Sequence, residues 1–272
     1  MFFRSHKSHS TYTSAGSYSH SNYPFNELDM RAAVPSQSLS PREGVDASGR
    51  IHSFLEHCAV VLFPLLFISA LLFSYQRLAE TGAEWLLLPG ALFGVILGDL
   101  VTGLVHWAAD TYGNESTPVI GRSLVKPFRV HHVRPLEICE HGIIETVGNT
   151  CILAAPLLAL LLALVARGES SAAAAFVVFT AVVTVGVTVA TNQFHKWAHQ
   201  AAPPRLVRAL QRSRIILNPE HHRAHHTAPF ESSYAITNGW LNPLLNRTGF
   251  FRRLEGALRA FGVEPSGAGK SK

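Results

Sequence analysis

Charge is scarce in this 272-residue chain: 15% of its residues are Asp, Glu, Lys or Arg, against 47% hydrophobic. With a mean hydropathy of +0.18, that balance points away from an ordinary soluble domain and towards a membrane protein. Cysteine is sparse as well. Cys58, Cys139 and Cys151 lie in or beside apolar runs and form neither an even-numbered set nor a CxxC pair. Neither a disulfide scaffold nor a thiolate zinc site is therefore indicated. The N-terminus lacks the short apolar core and small-residue cleavage site of a secretory signal, so the first apolar run is expected to stay in the mature protein. No flavin, haem or iron–sulfur motif is present, and there is no internal repeat. No nucleic-acid-binding fold accompanies the net charge of +5, which leaves lipid head groups as the simplest partner of the basic C-terminal region.

What the chain does have is apolar runs of membrane length and an excess of histidine. Residues 1–50, rich in Ser, Tyr, His and Pro, read as a disordered tail, and 263–272 as a flexible one. Between them, a domain over 51–262 carries four stretches close to the roughly 20 residues that a helix needs to cross the hydrocarbon core. They lie at about 54–75, 85–108, 143–166 and 172–194. The short links 76–84 and 167–171 imply two helical hairpins, and interfacial helices are expected around 204–215 and 248–261. Basic residues set the orientation. The N-terminal tail carries five, the 109–142 loop four and the C-terminal region twelve, whereas each short link holds one, Arg77 or Arg167. Both termini and the middle loop are thus expected in the cytoplasm.

Fifteen histidines far exceed ordinary usage, and in this topology they obey a rule. His6, His9 and His20 belong to the tail, and His52 and His57 start the first helix, where interfacial packing is the simpler reading. All the others gather at the cytoplasmic side, and neither far-side link has one. "HKWAH" sets His195 and His199 at i and i+4, on one helical face. "HRAHH" gives His222, His225 and His226 an i, i+3, i+4 face, from which the neighbouring His221 points away, so its part is open between ligand and accessory. "HWAAD" aligns His106 with Asp110, and Asp99 lies seven residues earlier on the same stripe. "HGIIETVGN" aligns His141 with Glu145, and "VHHV" adds His131 and His132. Carboxylates beside imidazoles are the usual support of metal ligands, which gives Asp99, Asp110 and Glu145 that expected role. Polar groups at such positions in a membrane protein are functional by default. Nine imidazoles exceed the needs of one ion and fit two. Imidazole suits Fe, Zn, Cu or Ni, but two irons with positions open to O2 explain the excess better than zinc, which takes three or four ligands. The expected fold is therefore all-α, a polytopic membrane protein with four transmembrane helices and a cytoplasmic His-rich di-metal site.

The order H-x3-H then H-x2-HH on membrane helices resembles the membrane di-iron desaturases and hydroxylases. More narrowly, "GLVHWAADTYG", "KPFRVHHVRP", "EHGIIETVGN", "TNQFHKWAH" and "NPEHHRAHHTAPFESSYAITNGWLNPLL" are similar to the plasmanylethanolamine desaturase family, which includes the bacterial CarF-like proteins. The likeness spans about residues 85–262. It implies two Fe ions, O2 as co-substrate, and an electron donor such as cytochrome b5 or a ferredoxin with its reductase. The implied substrate is an ethanolamine ether phospholipid, which gains a vinyl ether bond between C1 and C2 of its sn-1 alkyl chain. An acyl-chain desaturase or hydroxylase on the same scaffold is the rival enzyme. A metal transporter or sensor is the rival from another class, and ligands at one interface instead of the midplane argue against it. The Ala- and Arg-rich composition suits a bacterial inner membrane, though an endoplasmic reticulum protein would look similar.

Overall fold

A computed structural model describes residues 47–167 and 171–266. His6, His9 and His20, most of the expected N-terminal tail and the last six residues lie outside that range. The chain divides into a unit ending at Val45 and a unit from Asp46 onward, and everything below concerns the second. The described residues form helices, short helical turns and loops, and no strand is found among them. Four helices are long and apolar enough to cross a membrane: α1 (Ala47–Glu80), α2 (Leu87–Thr111), α4 (Ile143–Ala166) and α5 (Ala172–His199). The start of α1 takes in the last residues of the expected tail. Each expected apolar stretch lies within its helix, save Trp85 and Leu86, which form a short helical turn leading into α2, because a bilayer leaves the backbone no alternative to internal hydrogen bonding. Outward-facing Phe54, Leu65 and Ile68 on α1, Leu92 and Leu97 on α2, and Leu153 and Leu160 on α4 supply the apolar belt that such a helix presents to lipid.

α5 is the hub, packing against α1, α2 and α4. The first expected hairpin is joined by a short link, yet its two helices do not pair. α1 packs on α4 and α5 instead, and α2 packs on α5. The reason is in the sequence of α2, where "GALFGVILG" places Gly90, Gly94 and Gly98 on one face. A Cβ at Gly94 would lie 2.7 Å from Val183 Cβ, and one at Gly98 would lie 2.9 Å from Val187 Cγ1. Small residues let membrane helices approach closely where no hydrophobic force drives them together. At the far end, Arg77 of α1 donates to the carbonyls of Val165 and Ala166, satisfying orphan acceptors at the end of α4.

The remaining elements all join at the opposite end: α3 (Lys126–Val133), α6 (Arg205–Arg212), α7 (Pro219–His225), α8 (Asn242–Thr248) and α9 (Phe250–Ala260). α6 and α9 fall where interfacial helices are expected. Arg129 clamps α3 beneath the end of α2 by donating to the carbonyls of Tyr112 (3.2 Å) and Gly113 (2.6 Å). The segment between α7 and α8 folds back onto α2, and a buried carboxylate fixes it there. Asp99 Oδ1 accepts from the N–H groups of Thr237 (3.2 Å), Asn238 (3.2 Å) and Gly239 (3.0 Å), and Oδ2 accepts from Leu241 (3.1 Å). Thr102, Thr191 and Thr237 link the same segment to α2 and α5 through their hydroxyls.

Candidate metal centre

Four helix ends converge on one spot. The last two turns of α2 contribute His106 and Asp110, α3 contributes His131 and His132, and the last turn of α5 gives His195 and His199. α7 and the residue after it add His222, His225 and His226. Asn218 starts α7 as an N-cap, its side-chain oxygen accepting from Glu220 (2.9 Å) and His221 (3.3 Å) N–H groups. These side chains fall into two adjoining groups, each with its ligand atoms within 4.8 Å of one another: His131, His195, His199, His222 and His226 in the first, and His106, Asp110, His132 and His225 in the second. Consecutive helical residues point about 100° apart. That is why His131 and His132 are divided between the groups, as are His225 and His226.

The nitrogens face inward. In the first group His222 Nε2 lies 2.8 Å from His199 Nε2 and 3.0 Å from His226 Nε2. In the second, Asp110 Oδ2 lies 3.0 Å from His132 Nε2, 3.4 Å from His106 Nε2 and 3.5 Å from His225 Nε2. His106 Nε2, His131 Nε2 and His195 Nε2 are buried with no hydrogen-bond partner among the described residues. Orphaned buried nitrogens are rare in proteins, and a shared cation is the partner that so many converging lone pairs fit. The outer faces of the rings are held as metal-binding imidazoles usually are. His106 Nδ1 donates to the Tyr234 carbonyl (3.2 Å) and His225 Nδ1 to the Ser232 carbonyl (2.9 Å). In each case Nε2 is then the deprotonated atom, with its lone pair free to bind a metal.

Protonation is suppressed around this centre. Burial, with the neighbouring His199 and His226 adding repulsion, pushes His131 down to about 2. Burial likewise takes His226 to about 2 and His225 to about 3. His222 is held well below 6.5 by burial and then by His195. A neutral imidazole is what metal ligation requires.

Not every expected site residue joins these groups. Asp110 is a member of the second group in its own right, with its oxygen among the ring nitrogens and not behind them. Asp99 uses its carboxylate on the backbone of 237–241 and acts at one remove, since that segment follows the Ser232 and Tyr234 carbonyls that hold two histidines. His141 and Glu145 pair with each other at 3.6 Å, and neither belongs to either group. His221 Nε2 accepts from Asn242 Nδ2 at 2.9 Å, which places it outside both groups. His52 and His57 stay on α1 with local partners, Glu56 and the Ser53 carbonyl. Tyr234, Ser232 and Asn242 escaped the sequence reading. The first two act through carbonyls, which leave no mark in a sequence.

Residues 95–267 match the lipid desaturase domain. The chain belongs to the lipid desaturase family. Over 201 residues it is 41% identical to plasmanylethanolamine desaturase of Myxococcus xanthus, covering 74% of this chain and 70% of that protein. It is 37% identical over 210 residues to plasmanylethanolamine desaturase 1 of Mus musculus, with 76% and 77% covered. It is also 34% identical over 164 residues to the chloroplastic fatty acid desaturase 4 of Arabidopsis thaliana, with 60% and 48% covered. No solved structure matches it. Both histidine groups fall within the matched region of this multi-pass membrane oxidoreductase, and they are compatible with a di-metal site.

Proposed function

We propose that this chain is an O2-dependent plasmanylethanolamine desaturase, forming the C1–C2 vinyl ether bond in the sn-1 alkyl chain of an ethanolamine phospholipid. The observation that carries the reading is the pair of adjoining histidine groups with orphaned nitrogens, in a chain 41% and 37% identical to two proteins of that name. His131, His195, His199, His222 and His226 would hold one iron, and His106, Asp110, His132 and His225 the other. When bound, the two irons supply the oxidising power for O2-driven removal of hydrogen from an unactivated C–H bond. The balance is one O2, two hydrogens from adjacent carbons, two electrons and two protons, giving the alkene and two waters. The electrons come from a donor such as cytochrome b5 or a ferredoxin with its reductase.

The protein's share is preorganisation. The Tyr234 and Ser232 carbonyls fix two ring orientations, and burial keeps the imidazoles neutral. The basic residues of the 109–142 loop and C-terminal region support placing this face in the cytoplasm, most simply of a bacterial inner membrane. Expressed in a plasmalogen-free cell, the chain should yield ether lipids that release aldehydes on acid treatment. A new double bond that survives acid would instead favour acyl-chain desaturation, the second reading, which the 34% identity to the Arabidopsis protein supports.

A further inference from the structure

Beside the first histidine group lies an open cavity of about 660 Å³, lined by Leu136, Cys139, Glu140, Trp197, His199, Gln200, Ala201, Ala202 and Pro204. One wall is the short turn Glu137–Glu140 that leads into α4, and the other is the end of α5. His199 belongs to both the cavity and the metal centre, so whatever enters the cavity approaches the reacting site. Glu140 is the carboxylate of the lining, and Lys196 adjoins it without lining the cavity. Glu140 is exposed, and its carboxylate takes part in no hydrogen bond or ion pair among the described residues. Lys196, next to the lining Trp197, donates from its ammonium to the carbonyl of His141, the residue following Glu140. The Trp197 indole N–H and the Gln200 amide likewise have no hydrogen-bond partner among the described residues.

The chemistry of the proposed reaction requires a polar subsite at this distance. C1 of the sn-1 alkyl chain is attached directly to the ether oxygen, and only the glycerol carbons separate that oxygen from the phosphate. An enzyme that oxidises C1 and C2 therefore draws the head group to within a few bonds of its metals. One acting far down an acyl chain leaves the head group remote. We propose that this cavity takes the phosphoethanolamine head group of the substrate, with its ammonium towards Glu140 and the Trp197 ring and its phosphate towards Lys196, Gln200 and the indole N–H. A zwitterionic head group then meets a carboxylate in the lining and an ammonium beside it, and an aromatic face adds attraction for the cation. The inference rests on the vinyl ether reading, since that reaction puts the head group beside the centre.

The test uses membranes holding the full chain, supplied with an alkyl ether phosphatidylethanolamine or an alkyl ether phosphatidylglycerol of the same chains. Vinyl ether product and KM are measured for each, with metal content recorded as the check on folding. An exposed charge pair has a modest effect, so Glu140→Gln is expected to lower the preference for the ethanolamine lipid about threefold to fivefold. Glu140→Lys should shift the preference further towards the glycerol lipid, and Glu140→Asp should keep it near wild type. Ala201→Phe, which fills the cavity, should raise KM on both lipids while metal content is unchanged. Preference unaltered in Glu140→Gln and Glu140→Lys, or KM unaltered in Ala201→Phe, overturns the head-group subsite while wild-type vinyl ether formation still stands. Absence of any vinyl ether from the wild type overturns both.

Discussion

His221 and His222 are neighbours with opposite duties. His222 points its Nε2 at His199 and His226, whereas His221 accepts a hydrogen bond from Asn242. His222→Ala is expected to abolish vinyl ether formation and strip metal from the first group while the protein still inserts. His221→Ala, which loosens only the tie to α8, should keep its metal and lose about tenfold or less in activity, at or below the lower end of the range for supporting partners. Metal analysis and product yield on the two variants check this, and the reverse ranking would mean that α7 presents another face. The same residues set a pH dependence. His131, His225 and His226 fall to about 2, 3 and 2 in the fold and return to about 6.5 when unfolded. Below pH 6.5 the unfolded chain binds protons that the folded chain refuses, so stability is complete above 6.5 and declines as pH falls towards 3. Melting temperatures of metal-depleted protein should therefore drop between pH 7 and pH 5. A flat profile would show that these rings are not buried neutral.

Among the elements, the segment between α7 and α8 explains why so much of the centre is preorganised. Its backbone is pinned by the buried carboxylate of Asp99, and it carries the carbonyls that orient His106 and His225. Asp99→Ala leaves buried N–H groups unpaired at about 1–3 kcal/mol each. It should open residues 232–242 to protease and lower metal occupancy. Asp99→Asn, which keeps one acceptor oxygen, is expected to cost about 10–100-fold in activity. Wild-type protease resistance in Asp99→Ala would contradict the anchoring role. This arrangement shows where sequence reading stops. Asp99 stands out as an intramembrane carboxylate, but its partners lie 138 to 142 residues away, so only the fold reveals that it serves a loop and not a metal. His195 and His199 could be paired from spacing, because a helix dictates i and i+4. The separation of His225 from His222 and His226 could not, since it depends on how α7 meets α2 and α3. His141 and Glu145 have the same spacing as His106 and Asp110, yet His141 lies in extended backbone before α4 and neither joins the centre.

For the whole molecule, the bilayer made the four spans legible and left their packing hidden. The small-residue face of α2 selects α5 as its partner, and α5 then brings its terminal histidines to His106 of α2. A polytopic bundle with the imidazoles of both groups at one end follows from that pairing. The central claim is that these two adjoining groups hold two irons, one each. Metal analysis of the purified chain tests it most directly, comparing wild type with His199→Ala/His222→Ala in the first group and His106→Ala/His225→Ala in the second. The account predicts about two irons per chain in the wild type, as a two-metal site requires, about one in each double variant, and no vinyl ether from either. A wild type holding a single metal, or stoichiometric zinc with activity restored by zinc and not by iron, would contradict it.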